Sequence, residues 1–143
     1  VIQVLDARDP LGCRCGDVER FVVRASPSKR VVLLLNKIGL VPREVVERWL
    51  TSFRQELPAV AFKCSTGKRS AAGPGKGSDT VLGTDTLVQL LKNYARSRGL
   101  KTAITVGIVG LPNVGKSSVI NSLKRTRAVA HGWRDGGGGD GGG

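Results

Sequence analysis

The chain has 143 residues, 40% of them apolar, which suffices for one buried core and excludes wholesale disorder. Lys and Arg outnumber Asp and Glu by 23 to 11, a net charge of +12 that favours polyanionic partners, while aromatics at 4% leave few rings for stacking bases. No run reaches the ~18 apolar residues of a membrane span, and the three cysteines, Cys13, Cys15 and Cys64, complete neither a disulfide framework nor a zinc set.

In chain order, Val1–Leu5 (VIQVL) predicts a strand and Asp17–Arg24 a helix. Val31–Leu35 (VVLLL) is an unbroken apolar run, as expected of a strand buried on both faces of a parallel sheet. A helix is predicted from about Pro42 to Leu57. Pro42 suits its first turn, and Val45, Val46, Trp49, Leu50 and Phe53 form one buried stripe. Ala59–Phe62 predicts a third strand. Residues 64–83 read as a flexible basic loop rich in Gly, Ser and Lys. A helix over Thr84–Arg98 turns Leu87, Leu90 and Leu91 inward. Ala103–Val109 predicts a fourth strand and Lys116–Lys124 a final helix. Residues 128–143 form a glycine-rich tail that cannot bury enough surface to order itself. The alternation predicts an α/β fold with a mostly parallel sheet and right-handed crossovers. With no methionine and Val1 at the start, the chain reads as a fragment, and no secretory signal is visible.

The sharpest motif is Gly110-Leu-Pro-Asn-Val-Gly115-Lys116-Ser117, a full match to G-x-x-x-x-G-K-[ST] between a predicted strand and a predicted helix. Each residue type has a chemical reason. Gly110 and Gly115 let the loop, with Pro112, Asn113 and Val114 between them, turn its N–H groups inward around phosphate oxygens. The start of the following helix, Lys116 to Ser118, adds its positive dipole end. Lys116 bridges the β- and γ-phosphates as a point charge, and the Ser117 hydroxyl ligates Mg²⁺.

A second motif ends the strand Val31–Leu35: Asn36-Lys37-Ile38-Gly39. Ligands bind at the ends of parallel strands. Asn-Lys-x-Asp at such a place reads guanine in GTPases, its Asp accepting from the two base N–H groups that adenine lacks. Here the fourth position is Gly39. Asn36 and Lys37 can still brace the pocket, but losing the acceptor costs about 2–4 kcal/mol of base discrimination. Taken without the phosphate loop, Asn36-Lys37 is also readable as a polar cap on a strand.

The base-reading segment precedes the phosphate loop, whereas in ordinary GTPases it follows. In this order the chain resembles the circularly permuted nucleolar GTPases related to nucleostemin, the plant members most closely. The resemblance rests on Val4-Leu5-Asp6-Ala7-Arg8-Asp9-Pro10, Leu35-Asn36-Lys37 with Leu40-Val41-Pro42, Val60-Ala61-Phe62-Lys63-Cys64-Ser65-Thr66, the phosphate loop, and Ile120-Asn121-Ser122-Leu123-Lys124-Arg125. It covers residues 1–127 and implies a P-loop NTPase-like sheet, permuted and incomplete, because the strands expected after the loop helix are missing. It further implies binding of GTP and GDP with Mg²⁺, slow hydrolysis, and a role in large ribosomal subunit maturation in the nucleolus and nucleus. Ser65 falls in the second base-contacting loop, and Asn113 matches a position that helps hold K⁺ in related potassium-dependent GTPases. Asp6-Ala7-Arg8 is a family signature that the residues alone leave open between a strand-end turn and a binding role.

Departures from the family pattern matter as much. Gly39 replaces the Asp, and no switch threonine or Asp-x-x-Gly segment follows the loop; Asp135-Gly136 lies too near it, in the glycine tail. No residue is left to position attacking water, so weak phosphate binding and little hydrolysis are expected. Basic residues cluster at Lys63, Lys68, Arg69 and Lys76, at Lys92, Arg96, Arg98 and Lys101, and at Lys124, Arg125 and Arg127. They suit ribosomal RNA or a pre-ribosomal particle, or simply keep the surface solvated. The alternative function is therefore a nucleotide-independent RNA-binding or scaffold module. His131 has no ligand partners, and Ser65 has no His/Asp arrangement for nucleophilic catalysis.

Overall fold

The computed structural model describes residues 1–64, 83–97 and 104–131. Four strands, β1 (Ile2–Asp6), β2 (Val32–Asn36), β3 (Ala59–Ala61) and β4 (Ile108–Val109), form one sheet in the order β3-β2-β1-β4. Every pairing is parallel, with Ile2 opposite Val32 and Ile108, and Leu33 opposite Ala59. The helices are α1 (Pro10–Cys13), α2 (Gly16–Ala25), α3 (Arg43–Phe53), α4 (Thr84–Ser97) and α5 (Lys116–His131). The expected α/β architecture is present. Among the described residues no helix is long and apolar enough to cross a membrane.

The continuous apolar runs have the reason expected of them. Every residue of β1 and β2 is buried, because helices cover both faces of the sheet. Ile2, Val4, Val32, Leu34, Val60 and Phe62 meet Leu87 of α4 and Val119 of α5 on one face. Leu5, Leu33, Leu35 and Ala59 meet Val46, Leu50 and Phe53 of α3 on the other. Each such buried leucine or phenylalanine contributes roughly 1.5–3 kcal/mol of transfer free energy. Arg14 braces this second face. It stacks 5.5 Å from the Phe53 ring centroid and pairs with Glu19 at 2.8 Å and Glu56 at 2.7 Å.

Several expected boundaries move. The strand expected over Ala103–Val109 is limited to Ile108–Val109, with one further bond from the Ile2 amide to the Gly107 carbonyl at 2.7 Å. In this register, residues 104–106 would lie beyond Val1, so they have no ladder partner. The helix expected from Pro42 to Leu57 ends at Phe53 and passes into turns, and Pro42 is its N-cap rather than its first helical residue. Its stripe is narrower too: Val46, Leu50 and Phe53 are buried, Trp49 stacks on Phe53 with ring centroids 5.4 Å apart, and Val45 is exposed. The last helix runs past Lys124 to His131. The short α1 was not expected, although its signal is in the sequence: Asp9 accepts from the Gly12 amide at 3.1 Å as N-cap, and Pro10 opens the first turn. The basic loop expected at 64–83, apart from its two end residues, and the tail from residue 132 onward lie outside the described residues.

Candidate functional site

The phosphate-loop residues and the strand-end motif, 74 positions apart between Asn36 and Gly110, are brought together at one end of the sheet. The sheet order makes this possible. β1 separates β2 from β4, and it ends at Asp6, so the loop that follows β4 reaches across the end of β1 to the end of β2. Although the Asn-Lys segment comes first in the chain, both motifs therefore lie at the same end of the parallel strands, where ligands bind in such sheets.

Two side chains from the end of β2 hold the loop. Asn36, 2% exposed, donates through Nδ2 to the Val114 carbonyl at 2.8 Å. Lys37 donates through Nζ to the Asn113 carbonyl. Lys37 itself is left-handed at φ 62°, as is Asn113 at φ 66°. That conformation is costly for lysine, by about 1–2 kcal/mol, and the hydrogen bond of its ammonium helps offset it. Val114, 2% exposed, anchors the loop by inserting into the core beside Val4 and Val119.

Both motif glycines are required sterically. A Cβ at Gly110 would stand 2.9 Å from the Val4 carbonyl oxygen and 2.9 Å from Val114 Cγ2. Gly115 has φ +98°, and a Cβ there would stand 2.2 Å from Asn36 Nδ2. The loop and its clamp thus fit only if position 115 carries no side chain. Lys116 folds over the loop, donating to the carbonyls of Gly110 at 2.8 Å and Leu111 at 2.7 Å. Its ammonium stands where a bound phosphate would compete for it. Ser117 and Ser118 open α5, whose first-turn amides provide an anion-binding end. Pro112 and Asn113 are exposed on the loop turn, and Ser65 lies outside the described residues.

Asp6-Ala7-Arg8, whose role the residues alone left open, belongs to the same clamp. Arg8 donates to Asp6 through Nε at 3.1 Å, Nη2 at 2.8 Å and its backbone amide at 2.9 Å. Lys37 Nζ lies 3.3 Å from Asp6 Oδ2. The strand-end turn is also there, closed from the Asp9 amide to the Asp6 carbonyl at 3.1 Å, so the two readings are not exclusive. Hydrogen bonds from Arg8, and then Lys37, hold the Asp6 carboxyl well below the usual carboxylate range. A chain of contacts therefore runs from Arg8 through Asp6 and Lys37 to the phosphate loop. No motif rule would find it, because it pairs the ends of two different strands.

Asp6→Asn is expected to remove roughly 1–2 kcal/mol of stability, the scale of a charged hydrogen bond, and to weaken phosphate binding by releasing Lys37. Because the folded carboxyl titrates below its ordinary value of 3.8, its contribution is fully present above that pH. It fades as the pH falls from there through the depressed value. Acid melts of the native chain and Asp6→Asn should therefore differ by a constant amount above about pH 3.8 and draw together progressively as the pH falls below it toward the depressed value; a difference that does not shrink on acidification would contradict the assignment.

Mg²⁺ fits this site only as a companion of phosphate. Among the described residues no group of three or more His, Cys, Asp or Glu could hold a metal ion. Ser117, in the first turn of α5, would offer one hydroxyl donor, which suits an ion that keeps its waters and takes its other ligands from phosphates. Cys64 sits beside Asn36, its sulfur 3.9 Å from Oδ1, and burial raises its thiol above the usual value. It packs there as a structural neighbour rather than a reactive thiolate.

A parallel sheet flanked by helices, with a glycine-bounded loop leading into a helix N-terminus beside an Asn-Lys strand end, is the architecture of a P-loop GTPase-type domain. A family model described as 50S ribosome-binding GTPase matches residues 105–134, the loop and its helix. The chain is 59% identical to guanine nucleotide-binding protein-like NSN1 of Arabidopsis thaliana, over 90% of the chain and 24% of that protein. It is 51% identical to guanine nucleotide-binding protein-like 3-like protein of Bos taurus, over 92% of the chain and 25% of that protein. It is 46% identical to guanine nucleotide-binding protein-like 3 of Homo sapiens, over 87% of the chain and 24% of that protein. The chain is thus similar, over the segment it shares with them, to proteins named guanine nucleotide-binding protein-like 3 and to their relatives. It spans about a quarter of the length of these curated relatives.

Proposed function

We propose that this chain binds the phosphates of a guanine nucleotide, GTP or GDP with Mg²⁺, in the loop Gly110–Ser118, and that Asn36 and Lys37 position that loop from the base side. The observation that carries this reading is the double tether from Asn36 and Lys37 to the carbonyls of Val114 and Asn113. The names of the relatives are guanine nucleotide-binding, and the same function is inferred here for the shared segment. Ser65 is assigned to the second base-contacting loop by the family pattern, and Asn113, exposed on the loop, to a K⁺ beside the phosphates. Hydrolysis is expected to be slow. The wider role inferred is large ribosomal subunit maturation in the nucleolus, with RNA as the polyanion that the +12 charge would attract. The domain boundaries that follow are a permuted GTPase domain over residues 1–127, a basic loop at 64–83 within it, and a glycine-rich tail, expected from residue 128 although 128–131 belong to α5.

The test is displacement of a fluorescent nucleotide by GTP and by ATP. The native chain is expected to bind both weakly and within a few-fold of each other, because Gly39 offers no acceptor to the guanine N–H groups. Gly39→Asp is expected to raise the GTP-to-ATP ratio by tenfold or more, about 2 kcal/mol. The substitution has room: a Cβ at position 39 meets Lys63 Cε at 3.1 Å, the movable end of a flexible side chain. An unchanged ratio would remove the base-reading assignment and leave a phosphate site alone. Association with RNA that is salt-dependent and indifferent to Lys116→Ala would favour the nucleotide-independent module instead.

A further inference from the structure

The chain holds six prolines, and Pro27 alone follows a serine or threonine. It stands in Arg24-Ala25-Ser26-Pro27-Ser28-Lys29-Arg30, where α2 gives way to β2, and residues 20–43 contain no Asp or Glu. Ser26 closes α2 as its C-cap with extended backbone, φ −167° and ψ 136°. Pro27 to Arg30 are exposed after it. Among the described residues the Ser26 hydroxyl has local partners alone. It shares a hydrogen bond with Ser28 Oγ at 2.7 Å and accepts from the Ser28 amide at 3.2 Å. The Lys29 amide closes the turn on the Ser26 carbonyl at 3.0 Å. Freeing the hydroxyl therefore breaks no hydrogen bond between elements. Beside it lies a hollow of about 320 Å³, bordered by Ser26, Lys29, Arg30 and Tyr94. A tetrahedral anion on Ser26 has room there and two cations to meet it.

We propose that Ser26 is a phosphorylation site for a proline-directed serine/threonine kinase. Such an enzyme binds its substrate as an extended segment, and the residue after the acceptor decides which segments fit. A pocket there that offers no acceptor to a backbone N–H leaves any other residue with an unpaired donor, and proline has none. Pro27 meets that demand. Lys29 and Arg30, three and four positions beyond the acceptor, suit an acidic surface on the kinase. In the transfer the Ser26 Oγ attacks the γ-phosphorus of ATP. The bond from that phosphorus to the oxygen bridging it to the β-phosphate breaks, ADP leaves, and the hydroxyl proton passes to the kinase's catalytic aspartate. The product carries a charge of about −1.5 to −2. The last carbonyls of α2 oppose that charge, and Lys29 and Arg30 at the hollow offset the repulsion. The turn leads into the start of β2, whereas the phosphate loop follows the end of β4 in a parallel sheet. The modification therefore alters the charge of the face opposite the phosphate loop.

The test is incubation of the full chain with a cyclin-dependent kinase and ATP labelled on its γ-phosphate, the modified residue being mapped by fragment mass spectrometry. A single phosphate is expected, on Ser26. Ser26→Ala should abolish incorporation. Pro27→Ala should slow it roughly tenfold or more, the scale of one unpaired donor, and Lys29→Ala should slow it by a few-fold. Ser28→Ala should leave the site in use. None of these four residues is buried, so the variants are expected to melt as the native chain does. No incorporation, a phosphate on Ser28, or a rate that Pro27→Ala leaves unchanged would overturn the inference. So would labelling of the heat-unfolded chain alone, which would show the turn closed to a kinase in the folded protein.

Discussion

Gly115→Val is expected to abolish measurable triphosphate binding and to lower the melting temperature by roughly 10 °C. Two independent costs combine. The backbone at position 115 has φ +98°, which a β-branched residue adopts only under strain, and its Cβ would stand 2.2 Å from Asn36 Nδ2. Strain of about 1–3 kcal/mol adds to about 1–3 kcal/mol for breaking the buried bond from Asn36 to the Val114 carbonyl. The combined Gly115→Val, Asn36→Ala variant separates the costs. Asn36→Ala alone loses the bond to the Val114 carbonyl, and the combined variant adds to that only the positive-φ strain, so it should be less stable than Asn36→Ala by about 1–3 kcal/mol and still bind no nucleotide. Thermal melts and nucleotide titrations of the three variants would check this; a combined variant that melts with Asn36→Ala and binds nucleotide would show that the loop geometry is not what position 115 serves.

Lys116→Ala is expected to act in the opposite pattern, with a large effect on binding and a small one on stability. Among the described residues its ammonium bonds the carbonyls of Gly110 and Leu111 alone, both on the loop that it crosses. Losing these partly solvated bonds should cost no more than about 1 kcal/mol of folding free energy. Losing the charge over a triphosphate should cost about 3 kcal/mol of binding, close to a hundredfold. Lys116→Arg should not rescue it, since a planar fork does not replace a compact ammonium in so tight a loop. Titration calorimetry beside a melt reads both quantities; equal affinity in native and variant chains would place the phosphates elsewhere.

The parts of this molecule that are local in sequence were the legible ones. The apolar runs at Val31–Leu35 and Val1–Leu5 imply strands buried on both faces because no polar residue interrupts them except Gln3, itself buried. The phosphate loop is contiguous, and its two glycines and lysine have no economical alternative use in that spacing. The β4 boundary was not legible, since residues 104–106 have strand-like composition and lack only a neighbour to pair with. Val45 shares the helical spacing of Val46 and Trp49, but α3 meets the sheet through a narrower face. The role of Asp6 and Arg8 was hidden for another reason. It depends on Lys37 lying across the end of β1, and that proximity is set by the strand order and by no spacing along the chain. Lys63 over Gly39 is hidden in the same way: each residue is unremarkable alone, and their juxtaposition needs β3 to lie beside β2.

The most direct measurement is the change in backbone amide chemical shifts of isotope-labelled chain on addition of magnesium triphosphate. The amides of Val114, Gly115, Lys116 and Ser117 should move furthest, with smaller changes at Asn36 and Lys37, and Lys116→Ala should suppress them. Shifts that bypass those amides, or a spectrum unaltered at saturating ligand, would contradict the assignment of the anion to this loop.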